Sequence, residues 1–389
     1  MKGKSDLINI ISARVLLSFS YGFLNILLSL YLHYIGYSFL QIGLILGAAI
    51  IINAVLAFLL SMMADHYGRK LFLVLLFVLF AISASLFLYT KDVILLSILS
   101  GLGGFTGSGG GPIGSGGPFG AIQTALITEF TERKDFSRIL SIASVIGLLA
   151  SSAGAFLVDG AEIAKINVYS LFYLAGILGI IGAAISLMLT DNKIRSKHFL
   201  PKVSWKNIIK LSIPTIPNGI GGGFVAPIFS LWFHLKFGLT SGQIGIIFGL
   251  SNLFTILMMY ILPRFVTPSK ELKTIIGTRI FSSLALILMA FTPVLFLTTA
   301  LFVLRNGMQL GAVPIRQSFS MGIVDKSERA TSSGTTSMVR TGFSSISPPI
   351  AGNIISMNID YPPLIGGVIT MMDPFLYYFL FRKSFGQKK

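Results

Sequence analysis

The dominant pattern along the chain is a series of apolar runs, each long enough to cross a bilayer, parted by short polar stretches. Twelve are predicted, over 7–33, 38–62, 71–90, 93–128, 136–158, 166–189, 207–234, 240–262, 273–291, 293–317, 330–356 and 362–381. A membrane helix needs about 20 mostly apolar residues, and most of these runs exceed a buried core helix. The first run is read as an uncleaved span. It is too long for a signal-peptide core, carries Arg14 and Asn25, and leads straight into the second run. The seventh contains IPTIPNGIGGGFVAP (Ile213–Pro227), which predicts a kinked or unwound helix beside Asn218.

The fourth run is interrupted by GLGGFTGSGGGPIGSGGPFG (Gly101–Gly120). Its GGGPIG (Gly109–Gly114) matches G-x-G-x-x-G, and Glu129 follows Gly109 at the distance of a ribose-binding acid. A nucleotide site would need that motif between a buried strand and a helix N-terminus. Here it interrupts a membrane span, with no βαβ unit around it and no Walker A sequence, so nucleotide binding is rejected. Two readings remain: a flexible lip at the outer end of the span, or a broken helix bordering a cavity.

Composition agrees with the pattern. Of 389 residues 53% are hydrophobic and only 11% charged, with a mean hydropathy of +0.83. Soluble domains carry roughly 25% charge, so most of this surface must face lipid. There is no cysteine, hence no disulfide and no thiolate metal site, and the four histidines form no HExxH. The net charge of +16 would suggest nucleic acid in a soluble protein; the placement of the charge says otherwise. Among 30 Lys and Arg, Arg14, Arg279, Arg305, Arg316 and Arg340 lie inside spans. Lys91, Lys165 and Lys236 fall in one set of loops, and the other 22 in the opposite set. This asymmetry predicts a multi-pass cell-membrane protein with both termini in the cytoplasm.

The chain also repeats. QIGLILG (Gln41–Gly47) opens the second span and QIGIIFG (Gln243–Gly249) the eighth, each after a histidine, His33 or His234. TEFTER (Thr128–Arg133) and VDKSER (Val324–Arg329) give a weaker echo, as do SSAGAFL (Ser151–Leu157) and PPIAGNI (Pro348–Ile354). Two six-span halves follow, 1–190 and 207–389, joined by a basic cytoplasmic linker over 191–206.

The loop after the second span reads SMMADHYGRKLFL (Ser61–Leu73). Gly68 permits a tight turn, Asp65 can pair with a helix end or an arginine, and Arg69 and Lys70 hold the loop on the basic side. The loop resembles the signature G-x-x-x-D-[RK]-x-G-[RK]-[RK] of the major facilitator superfamily at Asp65, Gly68, Arg69 and Lys70. It departs at Ser61, where glycine is usual, and at His66, where a basic residue is usual. With the topology, the repeat and the central basic loop, the resemblance covers the whole chain. It implies an all-α membrane fold of twelve transmembrane helices, in two six-helix bundles related by pseudo-two-fold symmetry. It also implies that this loop acts as a cytoplasmic gate. The drug:proton antiporter pattern is not met: Ser97 stands where those proteins carry an arginine, and SSAGAF replaces their fifth-span motif.

Ionised groups are costly in a bilayer, so polar residues repeated on one helix face mark an interior. Arg14, Ser18, Tyr21 and Asn25 share a face of the first span, as do Arg305, Gln309 and Arg316 in the tenth. The eleventh carries Ser337, Arg340, Thr341 and Ser344, and the fifth Ser137, Ser141, Ser144 and Ser151. The serines suit close helix packing. A water-filled cavity is predicted, with Tyr21, Asn25, Asn218, Arg305, Gln309 and Arg340 as substrate-binding positions. Arg14 and Arg279 lie nearer the cytoplasmic ends, where an arginine can snorkel. Asp373 is placed at mid-membrane, as a proton-coupling site or as the ion-pair partner of Arg305 or Arg340. Two deep arginines against one acid favour a negatively charged substrate.

The sequence therefore predicts a secondary transporter moving a small organic solute by alternating access. Proton-coupled efflux is one form of it, and uptake or exchange of an organic anion the alternative. A non-transporting sensor or lipid-handling protein on the same fold is the reading from another class. Without paired acids, metal cluster or activated nucleophile no enzyme is expected, and no cofactor or metal. The expected partners are the lipid bilayer, the solute and protons as the candidate coupling ion, with the protein a monomer and no nucleic acid bound.

Overall fold

Helices form where the apolar runs are continuous and break where glycine and proline concentrate. The computed structural model describes residues 2–106, 117–131, 135–190, 204–267, 269–325 and 329–382. The first sequence half contains α1 (Lys2–Tyr34), α2 (Phe39–Tyr67), α3 (Arg69–Leu86), α4 (Val93–Gly103), α5 (Gly117–Glu129), α6 (Phe136–Ile163) and α7 (Leu171–Leu187). The second contains α8 (Trp205–Ser212), α9 (Thr215–Gly223), α10 (Phe229–Phe237), α11 (Ser241–Ile261) and α12 (Glu271–Phe291). It continues with α13 (Leu295–Gly311), α14 (Val313–Ile323), α15 (Arg329–Ser344), α16 (Ser347–Ile355) and α17 (Tyr361–Phe381).

The result is an all-α, multi-pass membrane bundle. Among the described residues, nine helical stretches are long and apolar enough to cross a bilayer. The other expected spans, the fourth, tenth and eleventh, are each divided into two helices, α4 with α5, α13 with α14, and α15 with α16. The seventh is divided too, but not at Asn218. Breaks fall at Ile213–Pro214 and before a 3-10 turn at Ala226–Ile228, leaving Asn218 inside α9. Proline explains both, since it removes a backbone donor and clashes with the preceding turn.

The duplication extends to turn chemistry. Gly36 (φ 93°) and Gly238 (φ 66°) take the left-handed conformation between helices. Two residues on, Ser38 caps α2, its hydroxyl accepting from the Gln41 N–H while the Gln41 side chain accepts from the Ser38 N–H. Thr240 and Gln243 make the same reciprocal bonds, 3.3 and 3.1 Å, before α11. These are capping boxes, which satisfy orphan donors at a helix start.

The chain forms two compact units that do not coincide with the sequence halves. The first is Met1–Phe199 with Ser230–Gly249; the second is Leu200–Phe229 with Leu250–Lys389. The inserted segment joins the first unit through glycine. A Cβ at Gly245 would strike the Ala155 carbonyl of α6, and one at Gly249 the Phe156 ring. In the same unit, Gly22 of α1 faces the Ser151 carbonyl and Gly154 of α6 the Phe19 carbonyl. In the second unit, Gly219 and Gly223 of α9 face the carbonyls of Arg340 and Ser344 on α15. Small residues let membrane helices approach to backbone contact, which replaces the missing hydrophobic drive between them.

Candidate functional site

A helix broken inside a membrane exposes backbone carbonyls that nothing in lipid can satisfy. The first unit meets this problem at Gly101–Gly104. Gly104 is left-handed (φ 67°) and its N–H returns to the Gly101 carbonyl at 3.2 Å; the Phe105 N–H reaches Ser100 at 2.9 Å. This is a Schellman closure. Other helices add donors: the Tyr21 hydroxyl donates to the Gly103 carbonyl (2.8 Å), and Asn53 Nδ2 gives the Gly101 carbonyl a second donor (3.2 Å). The glycine stretch thus separates two helices of 11 and 13 residues, each too short to span alone. The choice between a lip and a broken helix falls on 107–116, which lie outside the described residues.

Arg14, in α1, is buried. Its Nε donates to the Ala143 carbonyl (3.1 Å) and its Nη1 to Gln123 Oε1 (3.2 Å). Asn25, on the same helix, has a buried Oδ1 without a hydrogen bond. Of the gate motif, Gly68 turns the chain with φ 112°, and its N–H bonds the Ala64 carbonyl at 3.0 Å. Arg69 donates to the Ala125 carbonyl (3.3 Å) and pairs with Glu129 (3.2 Å), both on α5. Lys70 is half-buried, and the Asp65 side chain lies outside the described residues. Glu129 was visible in the sequence only as the false ribose acid; its pairing with Arg69 is a tertiary fact.

The second unit gathers charge. Asp373 of α17, fully buried, forms an ion pair with Arg279 of α12, which is 6% exposed. Its partner is therefore neither Arg305 nor Arg340, and Arg279 does not snorkel. A sequence signal existed. Arg279 lies eight residues after the first residue of α12, and Asp373 eight before the last of α17. Two spans crossing in opposite directions hold such residues at one depth. Arg316 and Arg340 are electrostatic neighbours of Arg279, so three guanidinium groups gather in this unit. Arg316 donates to the Gln309 carbonyl (3.2 Å), and Gln309 Oε1 accepts from Ser282 (3.4 Å). Asn218 is buried on α9.

Arg305 stands apart. It lies on α13, whereas Arg316 lies on α14. It is 5% exposed, donates to Asn306 Oδ1 (2.9 Å) and sits 5.5 Å over the Phe229 ring. Its Nε is buried without an acceptor, and no carboxylate among the described residues pairs with it.

A family model described as Major Facilitator Superfamily matches residues 10–349. The chain is 23% identical over 353 residues to the quinolone resistance protein NorA of Staphylococcus aureus (strain MRSA252), covering 86% of each chain. It is 22% identical over 305 residues to an uncharacterized MFS-type transporter of Methanocaldococcus jannaschii, covering 75% of this chain and 76% of that one. Among solved structures, the nucleoside transporter NupG superposes with a TM-score of 0.72 at 16% identity, over 98% of this chain and 100% of that one. The human organic anion transporter MFSD10 (TETRAN) gives 0.69 at 13% identity, over 97% and 100%.

Proposed function

Since the chain belongs to the major facilitator superfamily, whose fold and relatives make it a secondary transporter of alternating-access type, we propose that it exports a small organic solute bearing an anionic group. In this reading twelve spans form two six-span halves and both termini are cytoplasmic. The lysine and arginine asymmetry supports that orientation. Export follows the similarity to NorA, a resistance protein.

The observation that carries the substrate class is Arg305. A buried guanidinium with no counter-ion is costly in a membrane, and evolution keeps such groups where something pays the electrostatic debt. A carboxylate, sulfonate or phosphate on the solute would do so, with the Phe229 face backing the cation. Gln309, Arg340, Asn218, Tyr21 and Asn25 are proposed as further binding positions, and the Gly68–Lys70 turn as a cytoplasmic gate closed in part by Arg69–Glu129.

The test is solute counterflow in proteoliposomes with a panel of organic anions, cations and neutral solutes. Arg305→Gln is expected to cut anion flux at least about tenfold, with Arg305→Lys retaining part of it. Unchanged anion flux in Arg305→Gln, or a panel in which only cations move, rejects the anionic solute.

A second reading is favoured by Arg279 and Asp373. Protonating Asp373 would release a positive charge among Arg279, Arg316 and Arg340, and so strengthen anion binding. By linkage the anion would strengthen proton binding equally. Co-binding of proton and anion is the signature of symport, so under an inward proton gradient this reading gives anion uptake. The direction of flux on imposing a pH gradient separates the two.

A further inference from the structure

Within the first unit, the end of α1 meets α10 through residues that are near-counterparts in the repeat. Ser29 and Ser230 share a hydrogen bond of 2.8 Å between hydroxyls. One turn further on, the rings of His33 and His234 lie 6.1 Å apart between centroids at 64°. Both pairs are 201 positions apart, one short of the 202 that separates Gln41 from Gln243, so near-equivalent positions of the repeat face each other. Beside them, Glu162 of α6 accepts from the Gly242 N–H at the start of α11 (2.6 Å), and Ser152 donates to the Gly249 carbonyl (2.8 Å). In an alternating-access cycle this seam must open and close once per turnover.

The histidines are arranged so that protonation matters. His234 Nδ1 lies 2.8 Å from the Leu239 carbonyl. A carbonyl only accepts, so Nδ1 carries the hydrogen and an added proton goes to Nε2. The His33 ring stacks on Phe39 (5.6 Å, 15°), and its Nδ1 is buried without a partner. Among the described residues neither imidazole has a carboxylate within ion-pair distance. The other titratable groups around them do not supply one. Tyr31 and Tyr34 of α1 pack on Tyr169. Tyr37 in the turn bonds the Lys91 carbonyl, and Lys236 of α10 sits 4.9 Å over the Trp232 ring. Asp159 and Glu162 of α6 are turned to Gly242. Two imidazolium ions here would repel each other.

We propose that His33 and His234 form a proton-operated latch at the external end of the transporter, which closes when both rings are neutral and is driven open when they are charged. The proposal rests on the alternating-access reading and on cytoplasmic termini. It deepens that reading by naming what controls one of its two gates. An imidazole gains charge on acidification, so the latch would respond to external acid.

The absence of native cysteine makes the test clean. Ser230→Cys, one turn below the pair, is labelled with a membrane-impermeant methanethiosulfonate. Each rate is divided by that of the unfolded protein at the same pH, which removes the thiolate effect. The normalised rate from the external face is expected to rise about tenfold between pH 8 and pH 5.5. The rise should vanish in His33→Gln/His234→Gln, and His234→Lys should label rapidly already at pH 8. A pH-indifferent rate in the native pair, or an acid rise that survives the double glutamine change, overturns the latch and points to Glu162 or Asp159. Should the double variant not fold, slow labelling of His234→Lys at pH 8 overturns it equally. Flux in the same vesicles keeps the readings apart. Acid-dependent labelling without anion flux retains the latch and rejects the anion exporter; flux with pH-indifferent labelling does the reverse.

Discussion

The two units each bury an arginine within a span, and they meet it with different groups. Arg14 is held by dipoles, a backbone carbonyl and the Gln123 amide. Arg279 is held by a full counter-charge, Asp373, in a fully buried setting. The two acceptors named in the first arrangement take up no proton. The second is neutral as a pair but becomes positive when Asp373 is protonated. The second unit therefore holds a buried pair whose charge can change.

The largest effect expected from this contrast is at Asp373. Asp373→Leu strands Arg279 in an apolar site and should cost about 3–5 kcal/mol in thermal or denaturant unfolding of the purified protein. Arg279→Leu/Asp373→Leu should recover most of that loss, because a buried pair is often replaceable by packed apolar side chains. If the double variant is as unstable as Asp373→Leu, the ion pair is not the cause. Next comes Gln123→Leu, which removes one neutral acceptor while the Ala143 carbonyl remains. A loss of about 1–3 kcal/mol is expected, and a loss equal to that of Asp373→Leu would erase the distinction between the halves. Smallest is Tyr21→Phe, which deprives the Gly103 carbonyl of a donor. About 0.5–1.5 kcal/mol is expected, with faster amide exchange confined to the end of α4. Loss of solute binding without that local loosening would move Tyr21 from helix capping to the substrate.

Much of the fold was legible in the chain. Period and length marked the spans, and the Gln41–Gly47 and Gln243–Gly249 repeat marked the duplication. Glycine and proline marked the breaks at Gly101–Gly120 and Ile213–Pro227. The candidate site was legible as a set of residue types and much less as a set of partners. Arg305 was recognisable by depth alone, because depth follows from counting along one helix. The partner of Asp373 was not, since Arg279, Arg305 and Arg340 are all arginines inside spans and the choice among them turns on which helices touch. Tyr21 was picked out because its helix face is polar; that its hydroxyl donates to the Gly103 carbonyl, 82 positions away, could not be read from that face.

The sequence by itself determined a lipid-immersed, twice-repeated helical chain with a basic side, a glycine turn at Gly68 and a few ionised groups too deep to be incidental. These are properties of single helices and their ends, set by hydropathy, backbone freedom and the cost of charge in hydrocarbon. Tertiary structure alone decided that Asp373 takes Arg279, that Arg69 takes Glu129, and that Ser230–Gly249 packs with the first unit. Those outcomes depend on where glycines let two backbones meet, and a one-dimensional pattern carries no record of which faces come within reach.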